Sequence, residues 1–133
     1  PVAWSALEAS ENRKGDALAV ARLAGIQAAK RASDWIPLCH PLVFDGVDVV
    51  LTRHVRTRSV AVVASVRGTG KTGYEMEAMV AAAAGALTVY DMCKGAEKGI
   101  VVGPIELLSK TGGKSGDWNR STNVPVRSRR VRR

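Results

Sequence analysis

Aromatic residues are scarce in this 133-residue chain, at 5% of the sequence, although hydrophobic residues make up 46%. A core with so few rings must be built mostly from Ala, Val, Leu and Ile. Ala-rich helices pack closely, which suits a subunit interface as well as a core. The length is normal for one domain, so we expect a single packed body.

Cysteine is also rare, and Cys39 and Cys93 are the two in the chain. Two cysteines do not make the disulfide framework of a small secreted protein. Reduced thiols are expected instead, in the cytoplasm or, for a eukaryotic protein, in an organelle. No apolar run approaches the roughly 18 residues of a membrane span and no signal peptide is visible, so we expect no membrane partner. The first residue is Pro1 rather than Met, which indicates a missing or processed start.

Acidic residues are absent from residues 118–133, which hold six arginines. These arginines account for most of the net charge of +8, because the rest of the chain has 14 basic and 12 acidic residues. A short arginine tail mixed with Ser, Thr, Asn and Pro is typical of a flexible segment. We therefore predict a single domain over residues 1–117 and a flexible basic tail over 118–133. Contact of the tail with RNA or an acidic partner is the lesser alternative, so nucleic acid is not the expected partner.

Hydrophobic periodicity predicts five elements in the order helix, strand, strand, helix, strand. They cover residues 14–33, 47–55, 60–66, 75–98 and 100–108. A polar turn joins the first two strands and favours an antiparallel hairpin, while Gly99 is a natural stop for the long helix. The order indicates an α+β fold with helices packed on an antiparallel sheet.

The loop GTGKTG, at residues 68–73, is similar to a P-loop because it follows a strand and opens a helix. The full P-loop pattern needs another glycine at position 65, where Ser65 lies inside the predicted strand. A hairpin also argues against the parallel sheet of a nucleoside triphosphatase. Exposed backbone N–H groups at the start of a helix remain suited to binding an anion.

The predicted helix 75–98 carries Glu75 and Glu77 in its first turn and Asp91 and Lys94 near its end. Glutamates in a first turn complement the helix dipole, which is the simpler explanation for them. Asp91 and Lys94 are three residues apart, so they can pair directly inside an otherwise apolar stretch. A structural salt bridge and a perturbed acid and amine in an active site explain this pair equally well.

Helical geometry separates the two charged ends of this helix. Glu77 and Asp91 project from nearly the same face, but fourteen residues place them roughly 21 Å apart along the axis. One small substrate cannot touch both in a single subunit. We therefore predict a composite site in which a symmetry-related subunit brings the second end of the helix to the first.

The segment IPLCHPL, at residues 36–42, holds two prolines and so predicts a rigid loop. Its Cys39 and His40 are candidates for a metal pair, but too few further ligands exist for a closed zinc site, so no metal is expected. His40 as a hydrogen-bonding or acid–base group is favoured, with a buried structural histidine as the alternative. Several lysines next to glycines or element ends suit phosphate: Lys14, Lys71, Lys94, Lys110 and Lys114. Together these features predict an enzyme acting on a nucleotide-derived, phosphate-bearing substrate.

Four ordered blocks resemble the molybdenum cofactor biosynthesis protein C family, the cyclic pyranopterin monophosphate synthases. They are residues 14–42, 72–79, 86–98 and 107–117, the third being ALTVYDMCKGAEK. The resemblance implies a ferredoxin-like α+β subunit in a homohexamer, a trimer of dimers with sites at subunit interfaces. It implies a phosphorus–oxygen lyase; no cofactor is expected. That lyase converts 3′,8-cyclo-7,8-dihydroguanosine triphosphate to cyclic pyranopterin monophosphate and diphosphate.

The resemblance also implies roles for individual residues. The catalytic aspartate falls on Asp91 and the catalytic lysine on Lys94. Substrate-binding positions fall on Leu38, Cys39, His40, Met76 and Glu77, and further pocket positions on Lys14, Glu75 and Lys110. The chain departs from the family where Tyr74 replaces a small aliphatic residue, and where residues 1–13 stand in place of a longer basic N-terminal segment. An inactive paralogue or a basic nucleic-acid-binding module is the alternative function.

Overall fold

Two antiparallel strands and two long helices form the centre of the fold, in a computed structural model that describes residues 2–8 and 15–121. The helices and strands, in chain order, are α1 (Val2–Glu8), α2 (Ala17–Ala29), α3 (Ala32–Trp35), β1 (Gly46–His54), β2 (Ser59–Arg67), α4 (Glu75–Cys93), β3 (Ser109–Lys110) and β4 (Trp118–Asn119). The α+β class with helices on an antiparallel sheet is therefore confirmed, in agreement with a ferredoxin-like fold, although the sheet is small.

The hairpin of β1 and β2 follows the alternation in the sequence. Gly46 pairs with Arg67 at one end and His54 with Ser59 at the other. Inward-facing apolar residues of both strands pack around Val49, which is 1% exposed, and against Ala81 of α4. The predicted strands are confirmed to within about one residue at each end.

Helices α2 and α4 pack at close range because each places a glycine against the backbone of the other. A Cβ atom at Gly25 would lie 3.0 Å from the carbonyl oxygen of Ala81 and 3.1 Å from Val49 Cγ2. A Cβ atom at Gly85 would lie 3.5 Å from the carbonyl oxygen of Ala21. The small residues Ala21 and Gly25 of α2 thus lie on the face that packs against α4, and this close packing sets the position of α4 relative to α2.

Replacing Gly25 with Val is expected to lower the free energy of unfolding by about 1–3 kcal/mol, because the added methyl groups force the two helices apart. Urea unfolding at neutral pH measures the loss. The matched control is Gly95→Ala, whose Cβ meets nothing within 4 Å. That control is expected to stay within about 0.5 kcal/mol of wild type. Equal effects of the two substitutions would contradict the close packing.

The start of the chain and the first predicted helix differ from expectation. The sequence pattern predicts no helix or strand in residues 1–13, but Val2–Glu8 form α1, in which Ala3 packs with Met92 and Cys93 of α4. The predicted helix 14–33 is wrong at both ends, because α2 ends at Ala29 and a separate turn of helix, α3, follows. Asp16 starts α2 by accepting hydrogen bonds from the backbone N–H groups of Leu18 (3.0 Å) and Ala19 (3.2 Å).

The long helix ends at Cys93 rather than near Lys98, and turns continue the chain through Ala96. Gly95, with the low helix propensity of glycine, lies just beyond this end, so the prediction that Gly99 stops the helix is wrong. The Tyr90 hydroxyl then donates a hydrogen bond to the carbonyl of Lys98 (3.1 Å), which folds the chain back against the helix.

The predicted strand 100–108 is wrong as well. These residues have no strand assignment, and pairing begins at Ser109 and Lys110, which face Asn119 and Trp118 of β4. Pro104 has no N–H group to donate to a ladder, and Gly103 takes a φ of 119°. β4 lies within the first residues of the predicted tail, and the rest of that tail, from residue 122, lies outside the described residues.

By length and composition, α4 is the one helix among residues 2–8 and 15–121 that is apolar enough to cross a membrane. It contacts α1, α2, α3, β1 and β2, and the side chains of Val80, Ala81 and Ala84 are buried among these elements. That packing is typical of the core helix of a globular domain.

Candidate active site

Two cavities flank the N-terminal end of α4. The larger, here called the loop cleft, has a volume of about 650 Å³ and lies between β2, residues 68–75 and residues 106–113. The smaller, called the cysteine cleft, has about 200 Å³ and is lined by Cys39, His40, Leu42, Thr72, Gly73, Met76 and Glu77. Thr72 and Gly73 line both cavities and therefore form a wall common to them.

Glu77 is the buried charged residue of the cysteine cleft, with 3% of its surface exposed. The Cys39 thiol donates a long hydrogen bond to its Oε1, at 3.9 Å. Burial, first, and the nearby Glu77 carboxylate, second, raise the pKa of the Cys39 thiol. Cys39 is therefore a protonated donor at neutral pH and not a thiolate nucleophile.

In the loop cleft, Lys110 is held by two oxygens. Its Nζ lies 2.8 Å from Oε1 of Glu75 and 3.0 Å from the hydroxyl of Ser115. The Gly112 N–H donates to the Asp117 carboxylate (3.0 Å), which closes the glycine-rich turn between β3 and β4. The hydrogen bond from Lys110 is the main cause that lowers the pKa of the Glu75 carboxyl.

This ion pair predicts a dependence of stability on pH. The folded pKa of Glu75 is below its unfolded value, so the stabilisation is complete above the unfolded pKa and disappears as the pH falls through the folded one. We expect Glu75→Gln to lower the free energy of unfolding by about 1–2 kcal/mol at pH 7, and the difference from wild type to shrink in acid.

Urea unfolding over a pH series is the measurement for the Glu75→Gln variant. Asp48→Asn is the control, because Asp48 pairs with Arg67 at 2.9 Å in an exposed setting, with side-chain exposures of 59% and 67%. Its expected loss is under about 1 kcal/mol. A Glu75→Gln loss that does not change with pH would contradict the argument.

At the far end of α4, Lys94 Nζ lies 2.6 Å from Oδ1 of Asp91, which confirms the predicted pairing. Both side chains are about half exposed, at 50% and 51%. The hydrogen bond to Asp91 is the main cause that raises the pKa of Lys94, so its ammonium is charged at neutral pH. Neither residue lines the loop cleft or the cysteine cleft.

The structure brings together most, but not all, of the residues singled out by the sequence. Cys39, His40, Met76 and Glu77 line one cavity. Glu75 and Lys110 meet in the other. Asp91 lies fourteen residues beyond Glu77 on the same helix, roughly 21 Å along its axis, and Lys94 caps the end of that helix. Leu38 is 94% exposed and lines neither cavity, and Lys14 lies outside the described residues.

Sequence reasoning missed the residues that hold the loops in place. Ser115 and Asp117 belong to the second glycine-rich segment, where only the lysines were singled out, although a Ser and an Asp there are the natural acceptors for loop donors. The sequence predicts that Thr72 and Gly73 belong to an anion-binding loop, and nothing in it indicates that they line two cavities. Within residues 2–8 and 15–121, no three His, Cys, Asp or Glu side chains converge as a metal site would need.

The fold and its cavities define a class, an α+β protein with charged, loop-lined small-molecule clefts beside one end of a central helix. The MoaC family model matches residues 1–113, and the chain belongs to the MoaC family. It is similar to the cyclic pyranopterin monophosphate synthase of Halalkalibacterium halodurans, with 55% identity over 114 residues, 84% of this chain and 68% of the relative. It is also similar to the enzyme of that name from Heliobacterium modesticaldum, with 58% identity over 107 residues, 80% of this chain and 67% of the relative. The family predicted from the four sequence blocks is thus confirmed.

Proposed function

We propose that the chain is a cyclic pyranopterin monophosphate synthase, a lyase of molybdenum cofactor biosynthesis. It would convert 3′,8-cyclo-7,8-dihydroguanosine triphosphate to cyclic pyranopterin monophosphate and diphosphate. The observation that carries this proposal is the identity of 55% and 58% to two synthases over most of the chain. The meeting of Cys39, His40, Met76 and Glu77 around one cavity supports it.

The substrate's triphosphate needs cations, and we propose Lys94 and Lys110 for this task, with Lys14 as a third. In the free protein Lys94 and Lys110 are each paired with a carboxylate. A phosphate oxygen approaching either ammonium must therefore share it with the carboxylate or displace it. Such pairing keeps the lysines charged and oriented before substrate arrives, and lets them stabilise the charge that develops on departing diphosphate.

The reaction also requires protons to move while the purine opens and the pterin closes. We propose Asp91 and Lys94 as the catalytic residues, because an exposed acid–ammonium pair can exchange protons with a bound substrate. Leu38, Cys39, His40, Met76 and Glu77 are proposed to bind the substrate, together with Glu75. In this assignment the buried carboxylate of Glu77 and the Cys39 thiol recognise polar groups of the ring system.

We also propose a homohexamer, a trimer of dimers, in which each site is completed by a neighbouring subunit. The separation of Glu77 from Asp91 along α4 supports this, since no single substrate reaches both in one chain. Exposed apolar side chains support it further: Leu38 and Val43 are 94% and 92% exposed and Val101 is 75% exposed. The protein would act in the cytoplasm, with residues 1–117 as the catalytic domain together with β4, which follows directly and pairs with β3.

The direct test supplies the cyclised guanosine triphosphate intermediate to the purified oligomer. Mass spectrometry would follow the pterin product, and a coupled assay would follow diphosphate. Equimolar appearance of both is the expected result. A folded oligomer that releases neither, under conditions in which a known synthase of this family turns over, would overturn the proposal.

A further inference from the structure

Tyr74 immediately precedes α4, and its side chain ties together two segments that are distant in sequence. Its hydroxyl accepts a hydrogen bond from the backbone N–H of Gly70 (2.9 Å) and donates one to the carbonyl of Val43 (3.0 Å). Its ring meets Phe44 edge-on, with centroids 6.4 Å apart and planes at 78°. One phenol thus joins the glycine-rich loop 68–73 to the chain that enters β1.

The loop is shaped around this phenol. A Cβ atom at Gly70 would lie 2.6 Å from the Tyr74 hydroxyl oxygen but 3.4 Å from the ring carbon that bears it. A Cβ atom at Gly68 would collide with the hydroxyl and with two ring carbons, the latter at 2.6 and 2.8 Å. Gly68 and Gly70 are therefore required by the side chain of Tyr74, in addition to any role in binding an anion.

We propose that Tyr74 is a positioning residue for the substrate site. Its hydroxyl holds loop 68–73 so that Thr72 and Gly73 form the common wall of the loop cleft and the cysteine cleft. Without that bond, Thr72 and Gly73 would be less restrained relative to Glu75 in the loop cleft and Glu77 in the cysteine cleft. The consequence for catalysis rests on the proposed function, whereas the consequence for the loop does not.

The first test removes only the hydroxyl, in the Tyr74→Phe variant of the full oligomer. Loss of one hydrogen-bonding group from a pre-ordered wall is expected to raise KM about three- to tenfold and to change kcat by less than about twofold. The amide proton of Gly70 should exchange with solvent about three- to tenfold faster, because its acceptor is gone. Thr88→Val is the matched control, since it removes a hydroxyl bonded to the Ala84 carbonyl (2.7 Å) within α4 and lines neither cleft.

A double-mutant cycle separates this role from a general loss of stability. Gly70→Ala in the wild-type background should raise KM at least as much as Tyr74→Phe, because its methyl collides with the hydroxyl. In the Tyr74→Phe background, Gly70→Ala should raise KM by less than about twofold. Without the hydroxyl, the nearest ring carbon lies at an ordinary contact distance from the new methyl group. Additive effects would overturn the proposal.

The outcomes also distinguish the proposal from the function on which it rests. If the wild-type oligomer has no synthase activity, the proposed function fails, and exchange at Gly70 still decides the role of Tyr74 in the loop. If the wild type is active and Tyr74→Phe keeps the wild-type KM, the positioning role is wrong. A rise in KM with Thr88→Val equal to that of Tyr74→Phe would overturn it as well.

Discussion

Mixing Glu77→Ala subunits with Asp91→Ala subunits, each expected to be inactive alone, should restore about a quarter of wild-type activity. The two positions lie at opposite ends of α4, roughly 21 Å apart along its axis. Suppose that each active site takes Glu77 from one subunit and Asp91 from another. After random reassembly, a site is intact when an Asp91→Ala subunit supplies Glu77 and a Glu77→Ala subunit supplies Asp91. Each of these two events has a probability of about one half.

The control for this experiment is a mixture of wild type with the double variant Glu77→Ala/Asp91→Ala. Composite sites predict that an equal mixture retains about a quarter of the activity of the same amount of wild type, whereas sites contained in one subunit predict about a half. Subunit exchange must be verified by native mass spectrometry of isotope-labelled chains. Exchange without recovered activity in the first mixture would show that both residues serve a site within one chain.

The second large effect is expected from Asp91→Asn, which should lower kcat by about 10²- to 10⁴-fold if this carboxylate moves a proton in the reaction. The substitution also removes the main cause that raises the pKa of Lys94. An ammonium that loses its carboxylate partner releases its proton at lower pH. The basic limb of the profile of kcat/KM against pH should therefore shift towards lower pH in the variant.

Two further variants sharpen the test at Asp91. Lys94→Arg keeps the positive charge at any accessible pH. The part of the basic limb of the kcat/KM profile that is due to Lys94 should therefore disappear, while residual activity persists. Asp34→Asn removes an exposed carboxylate from α3 and should leave both kcat and the profile unchanged. If Asp91→Asn retains wild-type kcat, the pair is a surface salt bridge, the alternative that its exposure of about one half allows.

The sequence was informative wherever a periodic pattern met a local contact. The helix α4, the hairpin and the Asp91–Lys94 pair all depend on residues within a few positions or on simple alternation, and all three were predicted. The same logic failed at residues 100–108, because alternating apolar residues describe any extended chain and do not indicate whether a partner strand lies beside it. It failed at Cys93 because two glycines stood near the end of α4, and propensity alone did not decide between Gly95 and Gly99.

The candidate site was predictable in its members and less so in its arrangement. The resemblance named Cys39, His40, Met76 and Glu77, which line one cavity, but also Leu38, which is almost fully exposed. No local rule links Tyr74 to Val43, which is 31 residues away, or Lys110 to Glu75. Such contacts depend on where α4 places the loops after packing, and packing on α2 is a property of the whole domain.

The proposed composite site would make the length of α4 part of the catalytic apparatus and not only of the core. If one end of this helix belongs to one site and the other end to the next, the length of the helix sets the distance between neighbouring active sites. A single inserted residue would advance Asp91 by about 1.5 Å and turn it by about 100° about the axis. Insertions should therefore be tolerated in the hairpin turn at residues 55–58 and selected against in residues 77–91, even where the inserted residue is an alanine that the helix accepts.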